Sequence, residues 1–279
     1  MNRTADILRV DPAVVDRLRG RRARWWPALA ETANVIGALV LRESATRYGG
    51  SRLGYLWAFI EPLIMLTLFL LLRVYLRDRV VFGESALLFI ASGFLTVRVF
   101  ISIGRQMLTS VSGNRALMTF PSIVPLDLVI ARFMVEMMTM GTVIAVFYLL
   151  VVNVSDVAVI NDPIDFTTAV GVLFLLGGGV GALNATIGIV WQGYGRVFGL
   201  LSLPLIIASG VFYLPASLSP DALAILSWNP VLHAVEWLRE AIYLDYVSVL
   251  DRSYPVTFGA VCFGIGMVTL RIFGSRVTE

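Results

Sequence analysis

Three charged side chains interrupt segments that are otherwise apolar: Glu61, Arg98 and Glu136. An isolated charge at the centre of a bilayer costs on the order of 2.5–3.5 kcal/mol, so each of these groups should face protein or water. The two carboxylates stand at matching depths in their apolar runs. They could relay protons across a membrane, or they could form structural ion pairs with Arg98, Arg105 or Arg132.

A second polar group lies near the carboxyl-terminal end of the chain. His233, Glu236 and Glu240 follow the helix start at Asn229–Pro230 and fall on one face of the predicted helix. A histidine beside two carboxylates could perform acid–base chemistry, as in a membrane-embedded transferase. The alternative is a polar face on a helix whose other face is apolar through Val231, Val235, Leu238 and Ile242.

The residue types that are missing exclude several chemistries. All 22 basic residues are arginine, because the sequence contains no lysine. A phosphate-binding P-loop needs a lysine, so any ATP hydrolysis must reside in another chain. His233 and Cys262 are the single histidine and the single cysteine, whereas a structural zinc site draws four ligands from such residues. We therefore expect no metal and no cofactor on this chain.

The composition identifies an integral membrane protein. Of 279 residues, 58% are hydrophobic and 15% are charged, and the mean hydropathy is +0.82. The net charge of +3 is too small to indicate a nucleic-acid binder. We predict an all-α polytopic fold, because a span takes about 20 apolar residues. Six predicted spans lie near residues 53–76, 85–107, 127–152, 166–190, 197–214 and 254–273.

The arginines predict the orientation. Residues 1–52 hold ten arginines, and six more fall on the same side of the six-span topology, against four on the other side. Because positive loops stay in the cytoplasm, both termini are predicted to be cytoplasmic.

The amino-terminal region divides into two parts. Residues 1–31 are predicted to form a basic cytoplasmic tail, and residues 32–279 a single transmembrane domain. Within the latter, residues 32–48 are predicted to form a helix at the cytoplasmic membrane surface, or else a turn buried against the bundle. Glu43 and Arg47 stand four residues apart, in the order that favours an ion pair along one helix.

Two loops have distinctive sequences. Residues 113–127 form a short cytoplasmic loop that contains Pro121 and Pro125, which suits a small rigid element. Residues 215–253 form a long outer segment with two helix starts, at Ser219–Pro220 and Asn229–Pro230. Each of these helices is too short to span, so we predict a re-entrant or interfacial pair.

Three stretches, 41–62, 114–132 and 228–241, together resemble the inner-membrane permeases of capsular polysaccharide exporters, within the type-2 ABC-transporter permease family. The resemblance extends over about residues 33 to 275. It implies a homodimer in the bacterial inner membrane that binds two cytoplasmic ATPase subunits, which hold the ATP and magnesium. The implied substrate is a lipid-linked polysaccharide, handed to a periplasmic co-polymerase and an outer-membrane translocon. Related permeases export O-antigen or teichoic acid, and these remain alternatives.

The resemblance also implies roles for individual residues, although this chain would be a transport subunit and not an enzyme. The predicted ATPase-coupling residues are Glu43, Arg47, Tyr48, Arg115, Phe120 and Pro121. The predicted translocation-pathway residues are Tyr55, Trp57, Phe59, Glu61, Phe212, Tyr213, Trp228, His233, Glu236 and Arg239. The aromatic members could instead form membrane-interface belts. A proton-coupled transporter that uses Glu61 and Glu136 is the competing hypothesis.

Overall fold

The structure is a computed structural model. It describes residues 25–48, 83, 86–120, 123–154 and 160–274, with scattered positions between 56 and 71. The described residues contain helices, turns and loops and no strand. The helices are α1 (Trp25–Tyr48), α2 (Ala86–Leu108), α3 (Pro125–Val154), α4 (Pro163–Val190), α5 (Tyr194–Ala208), α6 (Pro220–Leu226), α7 (Pro230–Ile242) and α8 (Ser253–Phe273), with 3₁₀ segments at Ser112–Thr119 and Pro215–Ser217.

Four of these helices, α2, α3, α4 and α8, are long and apolar enough to cross a membrane. They coincide with the second, third, fourth and sixth predicted spans. The first predicted span, 53–76, lies mostly outside the described residues. The fifth, 197–214, differs from the structure, because α5 has 15 residues and ends at Ala208. Gly210 follows with a φ of +71°, a left-handed conformation that glycine adopts readily and that does not continue a helix.

Helix α2 lies at the centre of the bundle and is almost entirely buried. Helix α4 packs against α2 on one side and α8 on the other. The α4–α8 contact depends on small residues, since a Cβ on Gly179 would lie 2.3 Å from the carbonyl oxygen of Gly259. Small side chains let transmembrane helices approach closely, which accounts for the glycine-rich sequence of α4.

Helix α1 begins at Trp25, seven residues before the predicted start at 32. It packs along the first half of α3, where Leu39 is buried with Leu128 and Ala131. The described part of the predicted surface helix is therefore joined to the bundle by one face. Its position relative to a membrane stays a prediction.

The two short outer helices form where their capping residues predict. The Ser219 hydroxyl accepts a hydrogen bond from the backbone N–H of Ala222 at the start of α6. The Asn229 side chain accepts from the N–H of Val231 at the start of α7. Helix α7 carries His233, Glu236 and Glu240 as predicted by its sequence, and it is buried nearly all round by α2, α4 and α8.

Candidate functional site

Two ion pairs join α1 to α3. A carboxylate oxygen of Glu43 lies 2.5 Å from a guanidinium nitrogen of Arg132, and Arg47 pairs with Glu136. On each helix the acid and the base stand four residues apart, so they share one face. The charge order is reversed between the helices, and the local directions of α1 and α3 are the same. The four charges therefore match in register and sum to zero; we call them the charged junction.

Helix α2 completes the charged junction from the other side. The Ser102 hydroxyl donates a hydrogen bond to Glu136, and Arg132 donates to the side-chain oxygen of Gln106 at 3.4 Å. The Glu136 side chain is 0% exposed. A carboxylate at such a site is tolerable only when it is paired and hydrogen-bonded, and here it has both Arg47 and Ser102.

The structure changes two predictions about these charges. Glu43 and Arg47 form their ion pairs across to α3 instead of along α1. The partner of Glu136 is Arg47, which was not among the arginines predicted for it. Glu61, by contrast, does pair with Arg98, at 2.6 Å. Both carboxylates considered for a proton relay are thus engaged by arginines.

The 3₁₀ segment lies beside the charged junction. Arg42, on α1, donates a hydrogen bond to the side-chain oxygen of Asn114 at 3.1 Å. The amide of Asn114 in turn donates to the carbonyl of Ser110 at 2.9 Å. Arg115 and Phe120 are exposed on this segment and at its end. Among the predicted coupling residues, Pro121 and the side chain of Tyr48 lie outside the described residues.

The predicted pathway residues are scattered in this structure. Tyr55, Trp57 and Phe59 lie outside the described residues. Phe212 and Tyr213 are half-buried, whereas Trp228 is 80% exposed.

His233, Glu236 and Arg239 are all buried within the chain. Their part in a pathway stays a prediction.

Arg239 connects α7 to the centre of the bundle. Its guanidinium lies 3.7 Å from the ring centroid of Phe89 and donates to the carbonyl oxygens of Phe89 and Val211, each at 3.3 Å. Tyr246 donates to Glu236, which lies 4.0 Å from the Arg239 guanidinium. Burial raises the pKa of the Glu236 carboxyl, although Tyr246 and Arg239 oppose the shift. These contacts hold α7 against α2, and they indicate no chemical reaction at this cluster.

Sequence reasoning missed a second outer network, centred on Arg252. Its guanidinium bridges Asp165 at 3.0 Å and Glu240 at 2.9 Å, and lies 5.2 Å from the ring centroid of Trp237. The indole of Trp237 also donates to Asp165 at 2.9 Å. The spacing of residues along the sequence could not have indicated this network, because its members come from α4, α7 and the loop before α8. Among the described residues, no three His, Cys, Asp or Glu side chains gather as a metal site would require.

The contacts described above do not identify a protein family, whereas comparison with known proteins does. The polysialic acid transport protein KpsM of Escherichia coli is 29% identical over 237 residues, which cover 85% of this chain and 92% of the relative. The capsule polysaccharide export inner-membrane protein CtrC of Neisseria meningitidis serogroup B is 26% identical over 254 residues, covering 89% and 95%. The corresponding protein BexB of Haemophilus influenzae is 24% identical over 259 residues, covering 92% and 98%.

The family match covers most of the described helices. The ABC-2 type transporter family matches residues 34–243, from within α1 to the end of α7. This range includes the charged junction, the 3₁₀ segment and the Arg239 cluster apart from Tyr246. The chain belongs to the ABC-2 type transporter family.

Proposed function

We propose that this chain is the membrane permease subunit of an ATP-driven exporter of capsular polysaccharide. The observation that carries the proposal is the end-to-end similarity to KpsM, CtrC and BexB, each named for polysialic acid transport or capsule polysaccharide export and each covered over at least 92% of its length. ATP is hydrolysed by a partner, since this sequence has no lysine for a P-loop.

The assembly that we propose is a homodimer with two cytoplasmic ATPase subunits in a bacterial inner membrane. Both termini face the cytoplasm, an orientation supported by the excess of arginine on that side. The substrate is a lipid-linked polymer that passes between the protomers to a periplasmic co-polymerase and an outer-membrane translocon. O-antigen or a teichoic-acid-like polymer, exported in the same way, is the alternative substrate.

The predicted coupling residues divide into two groups in this proposal. Arg115 and Phe120 are exposed, so they are available to contact an ATPase directly. Glu43 and Arg47 are engaged with α3, so they act by fixing α1 to the bundle. A push on the 3₁₀ segment then reaches α1 through Arg42 and Asn114, and reaches α3 through the charged junction.

A proton-coupled transporter is less well supported. A carboxylate that relays protons must be released from its counter-ion during the cycle, whereas Glu61 pairs with Arg98 and Glu136 with Arg47. These contacts favour structural roles for both acids. Discharging the proton gradient while ATP is maintained should leave export unchanged; loss of export under that condition would favour the secondary transporter.

The proposal is tested by deleting the gene in its native bacterium and measuring polysaccharide at the surface and in the cytoplasm. We expect surface polymer to disappear and cytoplasmic polymer to accumulate, and complementation with the native gene to reverse both. Normal surface polymer in the deletion strain would refute the proposed function.

The coupling surface is tested with the double variant R115E/F120A. Both side chains are exposed, so the chain should fold and insert normally while copurification with the ATPase and export both fall. The matched control is R196E, because Arg196 is another exposed arginine that we place on the cytoplasmic side. Equal export by the two variants would show that the 3₁₀ segment is not the docking surface.

A further inference from the structure

His233 is held between two backbone carbonyl oxygens. Its Nδ1 lies 2.9 Å from the carbonyl oxygen of Asp251, and its Nε2 lies 2.7 Å from that of Ser227. Both distances are those of hydrogen bonds. The side chain is buried, so bulk water does not compete for either nitrogen.

The two acceptors determine the protonation state that fits this geometry. A carbonyl oxygen can only accept, so each ring nitrogen must carry a hydrogen to bond with it. A neutral imidazole has one N–H and would leave one of these buried contacts without its hydrogen. We propose that His233 is doubly protonated in this conformation and acts as a cationic clamp whose deprotonation loosens the outer segment.

Some groups around the His233 ring stabilise a positive charge on it, and others oppose that charge. The Asp251 carboxylate attracts the cation, and the ring of Tyr254 lies 4.8 Å away, centroid to centroid. Glu236 lies three residues further along α7, where Tyr246 donates to its carboxyl group. The amino-terminal end of α7, where His233 lies, repels a cation.

The clamp joins three successive parts of the outer segment. Ser227 ends α6, His233 belongs to α7, and Asp251 precedes α8. Tyr254 adds a parallel connection, because its hydroxyl donates to the carbonyl of Trp228 at 3.0 Å. Loss of one proton removes one of the two His233 bonds and frees either the α6–α7 turn or the loop before α8. In the proposed orientation this region faces the periplasm, so the consequence for export rests on the proposed function.

The charge state can be measured directly, because His233 is the only histidine in the sequence. The full-length protein is purified with an affinity tag that contains no histidine, labelled with ¹⁵N-histidine and placed in nanodiscs. Nitrogen NMR is then recorded between about pH 5 and 8, the range in which histidine titrates. We expect the signature of two protonated nitrogens at the acidic end and its loss as the pH rises. A single protonated nitrogen throughout would overturn the proposal, whatever the protein transports.

Two variants, H233F and D251N, test whether the protonated His233 side chain holds the outer segment together. H233F keeps a ring beside Tyr254 but donates no hydrogen bond. Losing a bond to a charged group should raise amide hydrogen exchange in residues 244–252 at least about tenfold at acidic pH, and less at alkaline pH. D251N removes the carboxylate but keeps the backbone carbonyl, so the NMR transition should move to lower pH. Equal exchange in H233F and the native chain at acidic pH would show that the cation clamps nothing.

Discussion

Removing the charge of Arg47 tests whether the charged junction holds α1 to α3. In R47M the side chain keeps most of its length, but the Glu136 carboxylate, which is 0% exposed, loses its cation. Leaving one member of a buried ion pair uncompensated costs about 3–5 kcal/mol. Ser102 still donates to Glu136, and Arg47 itself is 20% exposed. We therefore expect the lower end of that range, a loss of about 3 kcal/mol in the free energy of unfolding.

The double variant R47M/E136Q separates the ion pair from the side chains that form it. Glutamine is neutral and can still accept from Ser102, so neither buried charge remains. Replacing both members of a buried pair with neutral groups is often close to neutral, so the double variant should lie within about 1 kcal/mol of the native chain. The double variant should then be about 2 kcal/mol more stable than R47M alone, and the interaction free energy of the complete cycle is this difference plus the cost of E136Q.

The measurement is a denaturant titration of the purified chain in mixed micelles, followed by tryptophan fluorescence. R196M is the control, because it makes the same change at an exposed arginine and should alter the free energy of unfolding by less than about 0.5 kcal/mol. If R47M is no less stable than R196M, the pair does not hold α1. If the double variant is less stable than R47M alone, the desolvation argument is wrong.

The remaining predictions concern α4 and the outer loop. G179A should destabilise the chain by about 1–3 kcal/mol, because its Cβ would lie 2.3 Å from the Gly259 carbonyl oxygen. The control is G171A, which should be neutral or stabilising in thermal unfolding, because nothing lies within 4 Å of a Cβ at that position. Equal effects of the two variants would refute the close contact. The hydroxyl and N–H of Ser253 donate to Asp251 and hold the pKa of its carboxyl group below the usual range. The stability that this carboxylate contributes is therefore complete above its unfolded-state pKa. It disappears as the pH falls through the lower folded-state pKa. The difference in unfolding midpoint between the native chain and D251A should follow that course, and a difference that grows on acidification would contradict it.

The charged junction shows how a membrane protein places ionisable groups between two packed helices. Glu43 and Arg132 have side chains that are 12% and 15% exposed, so neither charge is free in solvent. Each group is tolerated because its partner stands at the matching position on the neighbouring helix. The same arrangement that neutralises the charges also fixes the register of α1 against α3.

Hydrophobic runs in the sequence were sufficient to predict most of the helices. The predicted span 254–273 appears as Ser253–Phe273, and 85–107 appears as Ala86–Leu108. Long apolar runs have few alternatives to a helix when backbone groups cannot bond to water. The fifth span was predicted too long because its apolar residues continue beyond Ala208, where the backbone turns at Gly210.

Partners across helices could not be predicted in the same way. Spacing along α1 suggested that Glu43 and Arg47 pair with each other, but their distances to α3 depend on how the two helices dock. His233 was placed on a polar face, whereas its acceptors come from Ser227 and Asp251, on separate segments. A periodic pattern defines a face of one helix, and it carries no information about what covers that face.

The sequence by itself determined that this chain is a helical membrane protein and that it carries no lysine for a P-loop. These properties follow from composition and from long runs of apolar residues. Such runs favour membrane-embedded helices through the hydrophobic effect and the need to satisfy backbone hydrogen bonds, whatever the final fold. Only the tertiary structure decided which charge meets which: Arg47 with Glu136, and both His233 nitrogens with carbonyl oxygens. Electrostatic and hydrogen-bond energies fall off over a few ångströms, so they depend on helix docking, which no single segment of the sequence encodes.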